Sequence, residues 1–272
     1  MIIDGEKIAQ RIEKKIKGKL KKLKMTPRLA VILIGRNPAS EIYVQRKEEA
    51  CKRLNIKYQT FRLSGNIDQN KLLSLIEKLN KDKKINGILI QLPLPVRFNK
   101  TNIFYSIAPW KDIDGLNPLN LGFLETGQPF IVSPTASCIL EIMKYLKIKT
   151  QGKYACLVGY SELVGKPLLP LLIDKGLTVT ICHKRTKKLA NFTQKADILI
   201  VAAGSPNLIK SSMVKKGATV IDAGINIKGK EIIGDVDFKN VKNKAAFITP
   251  VPKGVGPVTV SMLLSNLIEL SY

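Results

Sequence analysis

Short apolar runs that alternate with helix-like segments are the feature that most restricts the fold of this chain. Residues 29–34 form a continuous apolar run closed by Gly35, and residues 85–92 form a largely apolar segment that ends before Pro93. Runs of this kind are typical of strands buried on both faces of a parallel sheet. Further elements are predicted as helices at 6–24, 40–54 and 68–80 and a strand at 58–63. The alternation predicts an α/β layer.

The second half of the chain repeats this alternation. Strands are predicted at 154–158, 178–182, 198–202 and 219–222, and helices at 135–147, 165–176 and 258–270. Residues 109–134 lose regular periodicity and are rich in Gly, Pro and Asn, as expected of a hinge or a site-forming loop. The final helix lies far from any strand of the second series, so it is expected to return to the first. We therefore expect two α/β domains, residues 1–122 plus 258–272 and residues 123–257.

The chain is strongly basic, with a formal net charge of +24 over 272 residues. Such a charge can indicate nucleic-acid binding. However, only eight of the 45 basic residues are Arg, and no alternation of basic and aromatic residues suggests a base-stacking surface. The composition favours lysine-rich solvated faces, with a field that attracts anionic small molecules as the alternative.

Membrane, metal and disulfide functions have no support in the sequence. No apolar run reaches the roughly 18 residues of a membrane span. The N-terminus has no signal-peptide pattern. The four cysteines are scattered without a C-x-x-C pair, at positions 51, 138, 156 and 182. We expect a cytoplasmic protein with reduced thiols and no metal site.

A glycine-containing loop follows the predicted strand at 154–158. Its residues are Gly159-Tyr160-Ser161-Glu162-Leu163-Val164-Gly165-Lys166-Pro167. Glycines between a strand and a helix let the backbone approach a pyrophosphate, although the spacing is not G-x-G-x-x-G and an ordinary turn remains an alternative. The next strand ends in His183-Lys184-Arg185-Thr186. Two cations without an acid at this position favour NADP over NAD.

His183 is the only histidine in the chain. A catalytic role is one interpretation. Its position at a strand end beside the predicted adenosine pocket favours a contact with the cofactor or a structural role instead.

Tyr43 and Lys47 are four residues apart on a predicted helix, so their side chains share one face. Tyr-x-x-x-Lys is typical of short-chain dehydrogenases, but in those enzymes the glycine loop comes first, and here it comes last. Gln91 follows an apolar run, and a buried amide needs partners, for which an amine is suitable. Taken singly, the helical pair, the strand-end amide and the turn Asp112-Ile113-Asp114-Gly115 are each typical of ordinary structure.

Together and in this order, five segments resemble the bifunctional methylenetetrahydrofolate dehydrogenase/methenyltetrahydrofolate cyclohydrolase family over essentially the whole chain. The segments are Asn37-Pro38-Ala39-Ser40-x-x-Tyr43-Val44-x-x-Lys47, residues 87–95, Lys111-Asp112-Ile113-Asp114-Gly115, residues 158–167, and residues 249–259. The resemblance implies two α/β domains that flank a cleft, the second a Rossmann-type parallel sheet. It also implies a homodimer formed through the second domain.

The resemblance implies NADP⁺-dependent oxidation of 5,10-methylenetetrahydrofolate, followed by hydrolysis of the methenyl product to 10-formyltetrahydrofolate. Lys47 matches the catalytic lysine, Gln91 the residue that hydrogen-bonds it, Tyr43 the residue that stacks on the folate ring, and Asp114 the carboxylate that accepts from the pterin. Other matched substrate contacts are Leu92, Gly254, Val255, Gly256, Pro257 and Thr259. Matched cofactor contacts are Gly159, Tyr160, Ser161, Val164, Gly165, His183, Lys184, Arg185, Thr186, Gly204, Ser205 and Ile225.

The chain departs from the family pattern at four places. Tyr160 stands where Arg is usual and Lys184 where Ser is usual, so Lys184 and Arg185 are expected to neutralise the 2′-phosphate. Lys253 replaces a glycine. Residues 132–137 read Val-Ser-Pro-Thr-Ala-Ser in place of Pro-Cys-Thr-Pro-x-Gly.

Two alternatives remain open from the sequence. The first is a dehydrogenase without hydrolase activity, because every hydrolase residue also serves folate binding. The second is a non-catalytic basic protein that binds nucleotides or nucleic acid. The set Tyr43, Lys47, Gln91 and Asp114 argues against the second, and we expect folate one-carbon derivatives as partners, with no nucleic acid and no membrane.

Overall fold

The computed structural model describes residues 1–229 and 231–272. These divide into two compact units. The three-stranded unit consists of Arg11–Pro134 and Val260–Tyr272, and the five-stranded unit consists of Met1–Gln10 and Thr135–Thr259.

These boundaries differ from the predicted ones at the N-terminus and around residues 123–134. The N-terminal residues belong to the five-stranded unit because Ile3 N donates to Ile248 O, and Ile248 N donates to Met1 O. Ile2 and Ile248 thereby form a parallel bridge. This pairing joins residues almost 250 positions apart, which no local pattern reveals.

The three-stranded unit contains a parallel sheet in the order β2-β1-β3. Its strands are β1 (Arg28–Ile34), β2 (Lys57–Leu63) and β3 (Gly87–Ile90). Its helices are α2 (Pro38–Arg53), α3 (Gln69–Lys81), α4 (Lys100–Ser106) and α5 (Pro118–Glu125), together with most of α1 (Gly5–Leu20). Every residue of β3 is buried, and so is β1 after Arg28, as their apolar runs predict.

Helix α2 begins where the sequence predicts a turn and cap. The side chain of Asn37 accepts a hydrogen bond from Ser40 N at 3.1 Å, and Pro38 occupies the first helical turn, where its missing N–H costs nothing. This start fixes the register of the helix that carries Tyr43 and Lys47.

The prediction that residues 109–134 lack regular structure is wrong in part. A 3₁₀ turn spans Pro109–Lys111, and α5 follows after Asn117, whose side chain caps it by accepting from Leu119 N. Helix α5 has eight residues and is apolar on most sides, so it shows no helical periodicity. Helix α4, capped by Asn99, is also absent from the prediction for the same reason of length.

The five-stranded unit contains a parallel sheet in the order β10-β7-β6-β4-β5, which confirms a Rossmann-type arrangement. Its strands are β4 (Tyr154–Val158), β5 (Thr178–Cys182), β6 (Ile198–Val201), β7 (Thr219–Asp222) and β10 (Phe247–Ile248). The chain runs from β4 to β5 on one side and returns to β6 on the other. In open parallel sheets, ligands bind outside the carboxyl ends of the strands at such a reversal. That point lies after β4 and β6.

Helices and a hairpin complete the five-stranded unit. The helices are α6 (Pro134–Tyr145), α7 (Gly165–Asp174), α8 (Ala190–Thr193) and α9 (Phe238–Val241). An antiparallel hairpin that the sequence did not predict pairs β8 (Asn226–Lys228) with β9 (Glu231–Ile233). Helix α10 (Val255–Glu269) begins three residues before the predicted start, and its residues from Val260 onward belong to the three-stranded unit.

Within the described ranges, no helix combines the length and the apolar character needed to cross a bilayer. Nor do those ranges contain a group of three or more His, Cys, Asp or Glu side chains arranged to hold a metal ion.

Candidate active site and cofactor loops

Lys47 and Gln91 meet directly in the three-stranded unit. Lys47 Nζ, on α2, donates a 2.8 Å hydrogen bond to Gln91 Oε1, just beyond the end of β3. The Gln91 amide group donates in turn to Leu92 O at 2.8 Å, and its backbone N donates to Ile32 O at 2.9 Å. Because the amide N–H₂ is engaged, the amide oxygen is the atom presented to the lysine. Gln91 therefore fixes one of the three Lys47 donors.

Ser40 ties the first turn of α2 to the same segment. Its hydroxyl donates to Leu92 O at 3.2 Å, and the side chain is buried. Leu92 O thus accepts from both Ser40 and Gln91, which holds α2 against the strand end. From the sequence, Ser40 is visible only as part of the helix cap, because its partner lies 52 positions away.

Two buried residues, Lys111 and Asp112, stabilise the turn that carries Asp114. Lys111 Nζ donates to Leu79 O, Asn80 O and Asp82 O at 2.7–2.9 Å, at the C-terminal end of α3. Cations at that end are favoured by the helix dipole.

Asp112 closes the turn from the other side. Its carboxylate accepts from Gly115 N at 3.1 Å, Asn117 N at 2.7 Å and the Asn120 side chain at 3.0 Å.

Helix α10 also contacts this turn, because Asn266 donates to Ile113 O at 2.9 Å. Lys111 and Asp112 therefore serve the frame, and Asp114, only partly buried, is the carboxylate left for other partners.

Burial moves the pKa values of Lys47 and Asp114 toward neutrality. Desolvation lowers the pKa of the Lys47 amine to about 8, although the charge of Asp114 acts to raise it. Desolvation raises the pKa of the Asp114 carboxyl to about 7, with the charge of Lys47 opposing the shift. Both groups can therefore change protonation near physiological pH, which suits groups that move or accept protons.

Tyr43 lies one helical turn before Lys47 on α2. Burial raises the pKa of its phenol, so the ring is neutral at physiological pH. The Arg46 guanidinium lies 5.9 Å from the ring centroid. Such a neutral, half-buried ring is suited to stacking rather than to donating a proton.

The loop after β4 packs its two glycines against neighbouring backbone. Gly159 has φ +116°, and a side chain there would collide with Ala202 O after β6. A side chain at Gly165 would collide with the Gly159 carbonyl and with Tyr160. Ser161 closes the loop, because its hydroxyl accepts from Val164 N at 3.2 Å. The two glycines thus let the loop pack closely against the segment after β6 and against its own first residues, at the N-terminus of α7.

His183 stabilises the turn after β5 through hydrogen bonds. His183 Nδ1 accepts from Arg185 N at 3.1 Å, and His183 N donates to the Thr186 hydroxyl at 2.9 Å. Lys184 and Arg185 are both exposed at this turn. Tyr160 is also exposed, with Lys166 Nζ 5.9 Å from its ring centroid.

The segments after β6 and β7 carry Gly204, Ser205 and Ile225, and one buried carboxylate joins them. Asp235 accepts from the backbone N–H groups of residues 203–205 and from Asn226. Ile225 is 41% exposed beside this junction. Asp235 cannot be singled out from the sequence, because Gly-Asp-Val-Asp is indistinguishable from an ordinary turn without its partners.

The segment before α10 belongs to the five-stranded unit. Gly254 packs closely, since a side chain there would collide with Pro250 O. Lys253 adopts φ +80°, a conformation suited to the glycine usual at this position, and its Nζ lies 3.9 Å from Glu6. The Thr259 hydroxyl donates to Val255 O at 3.1 Å. The matched substrate contacts Gly254, Val255, Gly256, Pro257 and Thr259 are thus in a different unit from Lys47 and Asp114.

Residues 3–114 match the family model described as the tetrahydrofolate dehydrogenase/cyclohydrolase catalytic domain, and residues 133–272 match that of its NAD(P)-binding domain. The chain belongs to the tetrahydrofolate dehydrogenase/cyclohydrolase family.

Individual relatives agree with this assignment. The chain is 49% identical over 276 residues to the bifunctional protein FolD of Sulfurihydrogenibium sp., covering 99% of this chain and 97% of that protein. The crystal structure of the bifunctional enzyme FolD from Campylobacter jejuni has a TM-score of 0.96 at 43% identity, covering 100% and 98% of the two chains. The Trypanosoma brucei enzyme, complexed with NADP cofactor and inhibitor, has a TM-score of 0.95 at 33% identity, covering 100% and 97%.

Proposed function

We propose that this protein oxidises 5,10-methylenetetrahydrofolate to the 5,10-methenyl cation with NADP⁺ by direct hydride transfer, and then hydrolyses that cation to 10-formyltetrahydrofolate. The observation that carries the proposal is the hydrogen bond between Lys47 and Gln91, in which a lysine with a pKa of about 8 is held by a fixed amide oxygen. A surface lysine paired with an acid would stay protonated and could not accept a proton.

Lys47 is the proposed base of the hydrolytic step. A neutral Lys47 amine removes a proton from water as the water oxygen bonds to the methenyl carbon. The carbon–N5 bond of the resulting hydroxyl adduct then breaks as the hydroxyl loses its proton to become the formyl carbonyl; N5 takes up one proton, and the formyl group remains on N10. The positive charge of the substrate favours the neutral amine, because like charges repel and burial disfavours a second cation.

Asp114 and Tyr43 are proposed to hold the folate. An ionised Asp114 accepts two N–H groups from the guanidine-like edge of the pterin, and such donors stabilise the carboxylate form against the burial that raises its pKa. The neutral ring of Tyr43 stacks on the folate ring system. Leu92 and the Gly254–Thr259 contacts complete the proposed substrate set.

The five-stranded unit fits a dinucleotide at the reversal of its strand order. Bound NADP⁺ would supply the hydride acceptor. The loop of Gly159, Ser161, Val164 and Gly165 would hold the pyrophosphate at the N-terminus of α7, where backbone N–H groups favour an anion. Gly204, Ser205 and Ile225 would contact the cofactor from the neighbouring strand ends.

Recognition of the 2′-phosphate is proposed for the turn after β5. Lys184 and Arg185 are exposed there and can neutralise a phosphate in place of the family's usual arginine and serine. His183, Thr186 and Tyr160 lie in the adjoining segments and complete the proposed cofactor set. Proteins that bind NAD usually have an acid at this position, which accepts the 2′-hydroxyl, whereas this turn has two cations and no acid.

A spectrophotometric assay with methylenetetrahydrofolate and either NADP⁺ or NAD⁺ tests the function. We expect methenyl formation that is faster with NADP⁺, followed by its decay to the formyl compound. Formation without accelerated decay would establish a dehydrogenase lacking hydrolase activity. Absence of both, together with tight and steeply salt-dependent DNA binding, would contradict the proposal.

We also propose a cytoplasmic homodimer that forms through the five-stranded unit and has no nucleic-acid partner. The resemblance to the family supports the homodimer, and the small share of arginine among the cations supports the lack of a nucleic-acid partner. Light scattering coupled to size-exclusion chromatography measures the oligomeric state, and a monomer at micromolar concentration would contradict it.

A further inference from the structure

Asp235 is a fully buried carboxylate that collects four hydrogen bonds. Oδ2 accepts from Ala203 N at 2.6 Å and Gly204 N at 2.9 Å. Oδ1 accepts from Ser205 N at 2.8 Å and Asn226 Nδ2 at 2.8 Å. Because all four partners are N–H donors, both carboxyl oxygens act only as acceptors.

These bonds join two separate strand ends. Residues 203–205 follow β6, and Asn226 begins the hairpin that follows β7. The N–H groups of residues 203–205 all point to Asp235. Since the N–H and C=O of a planar trans peptide point in opposite directions, the carbonyl groups of residues 202–204 point away from it. The orientation of this loop is therefore set by one side chain.

A second buried carboxylate holds Asp235 in place. Asp222, at the end of β7, accepts from Gly224 N at 2.9 Å, Asp235 N at 3.1 Å and Val236 N at 2.9 Å.

The two acids are packed against two glycines in a reciprocal way. A side chain at Gly224 would collide with the Asp235 carboxyl, and one at Gly234 would collide with the Asp222 carboxyl. The segments at 222–224 and 234–236 are therefore built around the pair of acids.

Other bonds already secure the ends of the 203–205 loop. Ala202 N donates to Val158 O at 2.7 Å, and Asn207 N and Ile209 N donate to Gly234 O and Asp235 O. These backbone hydrogen bonds would be enough to anchor the ends of the loop. The Asp235 carboxylate adds control over the direction of the peptide groups between them, at the edge where parallel sheets bind their ligands.

We propose that Asp235 is a positioning residue for the cofactor, which acts by locking the loop that carries Gly204 and Ser205 to the segment that carries Ile225 and Asn226. This inference rests on the proposed function, because those two segments are the ones expected to contact NADP⁺. Asp235 itself does not contact the reacting atoms. Its carboxylate keeps the two contact segments in one fixed arrangement before the cofactor arrives, so that binding need not order them.

Asp235→Asn tests the proposal. In either orientation of the Asn amide, its N–H₂ group faces N–H donors and cannot accept hydrogen bonds from them. We expect the dissociation constant and KM for NADP⁺ to rise by about tenfold or more, the loss of roughly one to two hydrogen bonds to a charged acceptor. Hydrolysis of added methenyltetrahydrofolate, assayed without cofactor, should stay within about twofold, because that step does not use the loop.

Asp237→Asn is the matched control. It removes the same charge two residues away, where the carboxylate accepts from Asn240 at 2.9 Å and lies 3.8 Å from Lys210 Nζ. NADP⁺ binding should be unchanged in this variant. Asn226→Ala removes one of the four bonds to Asp235 and should weaken NADP⁺ binding by a smaller factor in the same direction.

The outcomes separate this inference from the proposed function. A wild-type protein without dehydrogenase activity would contradict the function itself. An active wild type with an Asp235→Asn variant that binds NADP⁺ normally, or that loses hydrolysis and NADP⁺ binding in parallel, would overturn the positioning role. If Asp235→Asn does not fold, Asn226→Ala decides the question, and unchanged NADP⁺ affinity in that variant would overturn the inference.

Discussion

Lys47 donates a 2.8 Å hydrogen bond to Gln91 Oε1, and the amide that supplies this oxygen is itself held by its bond to Leu92 O. The lysine is thus fixed by a neutral partner. A carboxylate in the same place would raise the pKa of the amine, whereas the amide orients it and leaves burial to lower the pKa to about 8. The pair can therefore provide an oriented amine that is partly neutral at physiological pH.

The rate of hydrolysis is expected to depend on pH through Lys47. A lysine with a lowered pKa is protonated and inactive as a base below about pH 8, and neutral above it. The value of kcat/KM for methenyltetrahydrofolate should therefore rise through about pH 8, after subtraction of the uncatalysed rate. Protonation of Asp114, whose pKa is about 7, should lower kcat/KM further at acid pH, because the protonated carboxyl cannot accept both pterin N–H groups.

Gln91→Glu provides a check on that assignment. A carboxylate beside Lys47 stabilises the ammonium form, so the midpoint of the pH profile should move to higher pH. A profile that is flat across this range in the wild type, or a midpoint that the variant leaves unchanged, would contradict the assignment of the titration to Lys47.

The choice between NADP⁺ and NAD⁺ is expected to depend on Lys184 and Arg185. Replacing both by Ala should weaken NADP⁺ binding by about tenfold or more, because two charge-assisted contacts to a phosphate are lost, and should leave NAD⁺ binding nearly unchanged. Lys175→Ala with Lys195→Ala is the control, since it removes the same charge from exposed positions that precede strands β5 and β6. An unchanged NADP⁺/NAD⁺ affinity ratio in the first variant would mean that the 2′-phosphate is bound elsewhere.

The frame around Asp114 is expected to depend on Lys111. Lys111→Met leaves three carbonyl groups at the end of α3 without their charged donor, which should lower the free energy of unfolding by about 2 kcal/mol and raise KM for methylenetetrahydrofolate. Guanidinium unfolding can be followed through Trp110, the only tryptophan in the chain. The exposed Lys83→Met should shift stability by less than about 0.5 kcal/mol. Equal stability of the two variants would refute the capping role.

The sequence predicted the elements whose signals are local. The apolar runs of β1 and β3 gave buried parallel strands, and Asn37 gave the cap of α2. Helix α5 was missed because eight mostly apolar residues have no measurable period. The pairing of Ile2 with Ile248 was missed because the two residues lie 246 positions apart in the chain.

The same distinction between local signals and distant partners applies to the residues of the site. Gln91 could be singled out because a polar amide after an apolar run needs a partner, and the structure supplies Lys47. Asp235 could not, because its importance comes from donors about 30 positions away in the chain. Ser40 was likewise visible only as a helix start until its bond to Leu92 O was located. Groups that act through distant backbone partners leave no mark in a single sequence.

Measuring the two activities of Lys47→Met side by side tests the central claim most directly. Methionine has nearly the same length and cannot accept a proton, so hydrolysis of methenyltetrahydrofolate should fall by about a hundredfold or more, while NADP⁺-dependent oxidation of methylenetetrahydrofolate stays detectable. Lys52→Met, at an exposed position of the same helix, should retain both activities. An equal loss of the two activities in Lys47→Met, with a folded protein, would contradict the assignment of Lys47 as the base of the hydrolytic step.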